Sequence, residues 1–173
     1  MNYIPVLLLA CLLISAAAAA PSDSGERVLF SLQDTPAEMI RHNAEAKIVT
    51  ADTGKALEVV FHKVDWPNVY FAPKIGTWDW RGATAFAVDV YNPGSQTIGV
   101  HVRIDNAGAD GVNNCKTGEA VAAPKAWTTL RMALNFEAPE LWGMRGVPGV
   151  GPLAGGKKID LSRITAFQVF LNR

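Results

Sequence analysis

Cysteine is nearly absent from this sequence. Cys11 and Cys115 are the only two in 173 residues, and Cys11 falls in an N-terminal stretch that reads as a removable leader. An internal disulfide is therefore not expected, and stability has to come from packing. No sign of charge predominates either: 16 Lys and Arg balance 16 Asp and Glu, scattered along the chain. That balance removes the long-range attraction a nucleic acid or an anionic membrane would need. After the first residues no run approaches the roughly 20 apolar residues of a membrane helix, so no membrane span is expected. Missing too are Gly-x-Ser-x-Gly, His-Glu-x-x-His, a phosphate loop and paired-cysteine metal spacing. Cys115, with no partner His evident in sequence, reads as a packed thiol.

What is present begins with the apolar run Tyr3 to Ile14, followed by Ser15, five alanines and Pro21. This is the hydrophobic core and small-residue cleavage zone of a secretory signal peptide. Residues 1–20 are thus expected to be a leader, with the mature protein exported, secreted or periplasmic. Leu8-Leu9-Ala10-Cys11 resembles a lipoprotein box, but the apolar run continues past Cys11 where such a box would close it. Residues 21–173 make one ordinary domain.

Beyond a polar leader sequence the chain alternates apolar and polar residues in short segments divided by Gly, Pro, Asn and Asp, an all-β pattern. Strands are expected at Arg27–Leu32, Ala46–Thr50, Ala56–His62, Val69–Ala72, Thr84–Asn92, Thr97–Asn106, Glu119–Ala123, Ala126–Leu134 and Arg163–Asn172. Pro36 to His42 reads as one short helix, with Thr35 as N-cap and Glu38 as its capping-box partner. Asn92-Pro93-Gly94-Ser95 has the chemistry of a tight turn and predicts a hairpin. The fold class is an antiparallel β-sandwich or jelly roll. Val147 to Lys158, rich in Gly and Pro, predicts a surface loop.

Alternation splits each strand into an inner and an outer set. Ile98, Val100, Val102 and Ile104 face the core and leave His101, Arg103 and Asp105 outside. Phe86, Val88 and Val90 leave Asp89 and Tyr91. Leu130 and Met132 leave Trp127 and Arg131, and Phe167 and Val169 leave Gln168 and Phe170. If these strands share a sheet, one face carries Asp89, Tyr91, His101, Arg103, Asp105, Trp127, Arg131 and Gln168. Aromatic rings stack on the apolar faces of pyranoses, and planar polar groups pair with vicinal hydroxyls, so the set suits a sugar. It also suits a solvated sheet with cross-strand ion pairs.

Trp66, before Pro67, is expected to plug an end of the sandwich. Trp78, Trp80 and Trp142 fit either plugs or the rims of a sugar site. The Asp105–Asn114 stretch is rich in oxygen ligands that would suit a structural Ca²⁺, but its alanines and Asp-Gly favour an ordinary turn.

Longer strings carry a family resemblance: Trp78-Asp79-Trp80, Val102-Arg103-Ile104-Asp105-Asn106, Leu141-Trp142-Gly143-Met144-Arg145-Gly146, Ile159-Asp160-Leu161-Ser162-Arg163-Ile164 and Phe167-Gln168-Val169-Phe170-Leu171. From about Val28 onward the chain resembles the non-catalytic N-terminal domain of glycoside hydrolase family 50 β-agarases. The resemblance implies a galactose-binding-like sandwich without the catalytic barrel and recognition of agarose or a related galactan. It also implies a partner in a catalytic glycoside hydrolase domain, and Trp142 and Arg145 as further contacts; no cofactor is expected. Two alternatives stay open: a small jelly-roll polysaccharide lyase using Tyr91, His101, Arg103 and Gln168, and a ligand-free domain that docks a separate barrel.

Overall fold

Alternation is realised as two packed five-stranded sheets in the computed structural model, which describes residues 3–10, 37–51, 54–134 and 159–171. The strands are β1 (Tyr3–Ala10), β2 (Ala37–His42), β3 (Ala44–Ala51), β4 (Gly54–His62), β5 (Asn68–Pro73), β6 (Ala85–Asn92), β7 (Ile98–Asp105), β8 (Cys115–Ala122), β9 (Ala126–Ala133) and β10 (Ala166–Phe170). One sheet runs β3-β4-β1-β6-β9 and the other β2-β5-β10-β7-β8. Every neighbouring pair is antiparallel. The expected all-β antiparallel sandwich is what the chain forms.

The inner sets meet between the sheets. Leu57, Val59 and Phe61 from β4, Val88 and Val90 from β6, and Leu130 and Met132 from β9 pack against Val69, Phe71, Val100, Val102, Ile104, Phe167 and Val169 of the other sheet. Each large apolar side chain so buried contributes about 1.5–3 kcal/mol. Trp80 is buried and closes one end, its ring stacked on Trp78 at 5.8 Å and on Phe86 at 5.3 Å. Both tryptophans therefore belong to the packing and not to a rim.

Three expectations need correction. Ala37–His42 is a strand and not a helix: it pairs with β5 along its whole length, from Ala37 opposite Pro73 to His42 opposite Asn68. A complete ladder outweighs a local capping pattern. The Asn92-Pro93-Gly94-Ser95 turn exists, but it carries the chain from one sheet to the other and makes no hairpin. Asn92 explains this. Its buried amide donates to the carbonyls of Gln96 and Ala122, and its Oδ1 accepts from Gly94 N–H, so its side chain ties β6 to the far end of β8. Trp66, finally, is not a plug; its residue is 43% exposed.

Tyr3–Ala10, read in sequence as part of a leader, is paired here between β4 and β6. Arg27–Leu32 and Val147 to Lys158 lie outside the described residues.

Candidate functional site

Strand register places polar and aromatic residues in rows across the outer face of the β2-β5-β10-β7-β8 sheet. One row reads Ile40, Tyr70, Gln168, Arg103, Thr117, and the next reads His42, Asn68, Phe170, His101, Glu119. Each outer residue alternates with a core residue on the same strand, such as Val69 and Phe71 beside Tyr70, so the rows are a direct product of period two.

Asp105 anchors the face. Arg103 donates to both its oxygens, Nε to Oδ1 at 2.7 Å and Nη2 to Oδ2 at 3.1 Å, and Gln168 Nε2 donates to Oδ2 at 3.3 Å. The pair is sheltered, with 20% of the Arg103 side chain and 5% of the Asp105 side chain exposed. Burial raises the Asp105 pKa, and the Arg103 and Gln168 hydrogen bonds pull it back. Burial also raises the pKa of Tyr70, with the Asp105 charge adding to it. His101 stacks on Phe170 at 5.0 Å and lies 3.5 Å from Glu119; burial lowers its pKa against the pull of that carboxylate.

A depression of about 400 Å³ opens above these groups, lined by Trp66, Asn68, Arg103, Asp110, Gly111, Gln168 and Phe170. The Trp66 and Phe170 rings are 5.8 Å apart and tilted. Trp66 holds φ at +54°, an unusual conformation for a bulky residue. Two buried acceptors, Asn68 Oδ1 and Thr117 Oγ1, find no hydrogen-bond partner among protein atoms. An orphan of that kind costs about 1–3 kcal/mol unless water or a ligand satisfies it.

The shared face expected from sequence is divided. His101, Arg103, Asp105 and Gln168 lie together on this sheet. Asp89, Tyr91, Trp127 and Arg131 lie on the outer face of the other sheet, where Thr129 donates to Asp89 at 2.6 Å and Tyr91 packs on Trp127 at 5.3 Å. Trp142 and Arg145 are outside the described residues. The sequence reading missed Trp66, Asn68 and Tyr70 as members of this face. Alternation along the expected Val69–Ala72 strand is the signal that finds Tyr70, which falls on the face opposite Val69 and Phe71.

The Asp105–Asn114 loop is built as a turn. Asp110 Oδ1 accepts from the N–H groups of Val112 and Asn113, and the Asn113 side chain donates to Oδ2. These bonds hold the Asp110 pKa at about 2. Among the described residues no three His, Cys, Asp or Glu side chains cluster as a metal site. Cys115 is buried beneath this loop, and desolvation pushes its thiol up to about 11.

No family model matches the chain. It is 30% identical over 125 residues to beta-agarase B of Vibrio sp. (strain JT0107), a match that takes in 67% of this chain and 12% of that protein. Among solved structures, the agarase AgWH50C superposes over 83% of this chain with a TM-score of 0.54 at 18% identity, and PfGH50B over 78% with a TM-score of 0.55 at 14% identity. The chain spans 22% and 20% of those two proteins.

Proposed function

Because the chain is related to family 50 agarases over a small part of their length, in a way that fits their non-catalytic N-terminal domain, we propose that it is an exported carbohydrate-binding module for a neutral galactan such as agarose. The observation that carries this reading is the depression between Trp66 and Phe170, floored by the Arg103–Asp105–Gln168 network. A ring of sugar stacks on the exposed indole while its hydroxyls donate to Asn68 Oδ1 and exchange bonds with Gln168. The groups are fixed on strands, so little entropy is lost on binding.

Charge favours a neutral ligand over a uronate. Both nitrogens of Arg103 that face the network are committed to Asp105, which cancels the charge an acidic sugar or a lyase reaction would require. Hydrolysis is also poorly served. It needs a protonated and an ionised carboxyl flanking the bond; Asp110 is held ionised by its own turn, and Asp105 is engaged on both oxygens. The binding module would serve a catalytic glycoside hydrolase domain, either fused or separate.

The test is affinity electrophoresis in agarose, with gels of other polysaccharides as reference. Trp66→Ala and Gln168→Ala should each lose about 2 kcal/mol of binding, roughly 30-fold, while keeping the wild-type melting temperature within a few degrees. Unchanged retardation in both folded variants would sink the reading.

A further inference from the structure

The slot between β4 and β6 is the centre of its sheet, and its two sides demand different residues. Toward the core it meets Leu57, Val59, Val88 and Val90, all buried. Its outer side is polar, with Lys47 paired to Glu58 at 2.7 Å and Thr129 bonded to Asp89 at 2.6 Å. A strand suited to it alternates apolar inward and polar outward.

Tyr3–Ala10 does not alternate. Leu7 and Leu9 take register positions opposite Val59 and Leu57, but Leu8 takes the one opposite Glu58 and Tyr91, on the polar side. Pro5 falls where the register slips between Tyr3 and Val6, ahead of the pairing with β6 that begins at Leu8; a proline is at home only on an edge or at such a fault, so the regular part of this central strand is short. Arg27-Val28-Leu29-Phe30-Ser31-Leu32 meets the demand better. Val28, Phe30 and Leu32 share one parity, while Arg27, Leu29 and Ser31 fall on the other, so two of its three outward positions are polar, where Tyr3–Ala10 offers Leu8 and Ala10 beside Tyr91 and Asp89.

We propose that Arg27–Leu32 is the resident strand of this slot in the processed protein, replacing Tyr3–Ala10 when the leader is removed. The connection supports it. β1 is antiparallel to β4 and β6, so its end at Ala10, opposite Asp89, points toward Phe86. Phe86 lies 5.3 Å from Phe167, which stands opposite Phe71 in the other sheet, and Pro73, two residues on, stands opposite Ala37. A strand filling the slot in the same direction therefore finishes at the end of the sandwich where β2 begins. Gln33-Asp34-Thr35-Pro36 is what lies between Leu32 and Ala37, a link that extends to about 16 Å at about 3.3 Å per residue. Packed sheets lie about 10 Å apart, so the link reaches. Run the other way, the strand would end at the far end of the sandwich.

The inference rests on the leader at residues 1–20 and not on carbohydrate binding, so the two fail separately. Hydrogen exchange on the chain of residues 1–173 and on that of residues 21–173 tests it. The shorter chain should fold and protect the Leu57–Val60 and Asp89–Tyr91 amides as strongly as the longer one. Phe30→Pro should abolish that protection in the shorter chain and leave it intact in the longer, where Tyr3–Ala10 still fills the slot. A covalent check keeps the result decisive should the proline variant merely unfold: in the 21–173 chain, Phe30→Cys should form a disulfide with Val59→Cys or with Leu57→Cys. An unfolded 21–173 chain, protection that Phe30→Pro does not change, or no bridge at either position overturns the proposal.

Discussion

Replacing Arg103 by alanine strands a carboxylate. In the wild type Asp105 receives two bonds from Arg103 and a longer one from Gln168, and its side chain is 5% exposed. The variant leaves Gln168 as the remaining side-chain donor of that network, and removing one partner of a buried pair costs about 3–5 kcal/mol. That is a large share of the 5–15 kcal/mol that holds a typical domain together. The effect should depend on pH. Burial raises the Asp105 pKa and Arg103 lowers it, so without Arg103 the folded-state value rises further above the unfolded one. The folded variant then binds the proton more tightly than the unfolded chain, and its stability falls as pH rises through the interval between the two values. The deficit against wild type is thus greatest at neutral pH and shrinks on acidification. Urea denaturation at pH 7 and pH 5 measures it, and Arg103→Ala/Asp105→Ala should be more stable at pH 7 than Arg103→Ala alone. A deficit under about 1 kcal/mol with no pH dependence, as for a solvated surface pair, would refute the claim that this network is sheltered.

Gly118→Ala should destabilise by about 1–3 kcal/mol in thermal or urea unfolding, because a Cβ there meets Met132 Cβ at 2.9 Å; a neutral result would mean that β8 and β9 separate easily. Ile104→Asp should abolish the cooperative melt, since Ile104 has no exposure and a lone buried carboxylate costs several kcal/mol. In a Cys11→Ser chain, Cys115 should resist a thiol-specific disulfide reagent at pH 8 until denaturant is added, its thiol being buried and raised to about 11; prompt labelling would show that the Asp105–Asn114 loop opens readily.

Much of the fold was legible because period two is a local signal. Alternation alone puts Val100, Val102 and Ile104 in the core, and all three are fully buried. Sheet membership is not local, and the site reading faltered there. Asp89 and Arg103 obey the same alternation, yet nothing within either strand says that one lies on each side of the sandwich. The deciding residue is Asn92, whose amide reaches Ala122 thirty positions away. The short helix failed for a related reason: the Thr35 and Glu38 pattern is real chemistry, but β5 offers Ala37–His42 a whole ladder that no local window contains. Trp66 escaped because the average tryptophan is buried, whereas this one sits at φ +54° with its ring against Phe170.

The central strand of the site sheet is also the last of the described strands to be synthesised. β10 lies between β5 and β7 and supplies Gln168 and Phe170 to the middle of both polar rows. While the ribosome is still making residue 165, β5 and β7 have no common neighbour, and their facing edges expose unpaired backbone groups of the kind that recruit other chains. The depression cannot exist in a partly made protein. Closure depends on contacts between distant segments, which makes for slow folding, so the interval just before β10 arrives is when this chain is most exposed to aggregation and most in need of a holding chaperone.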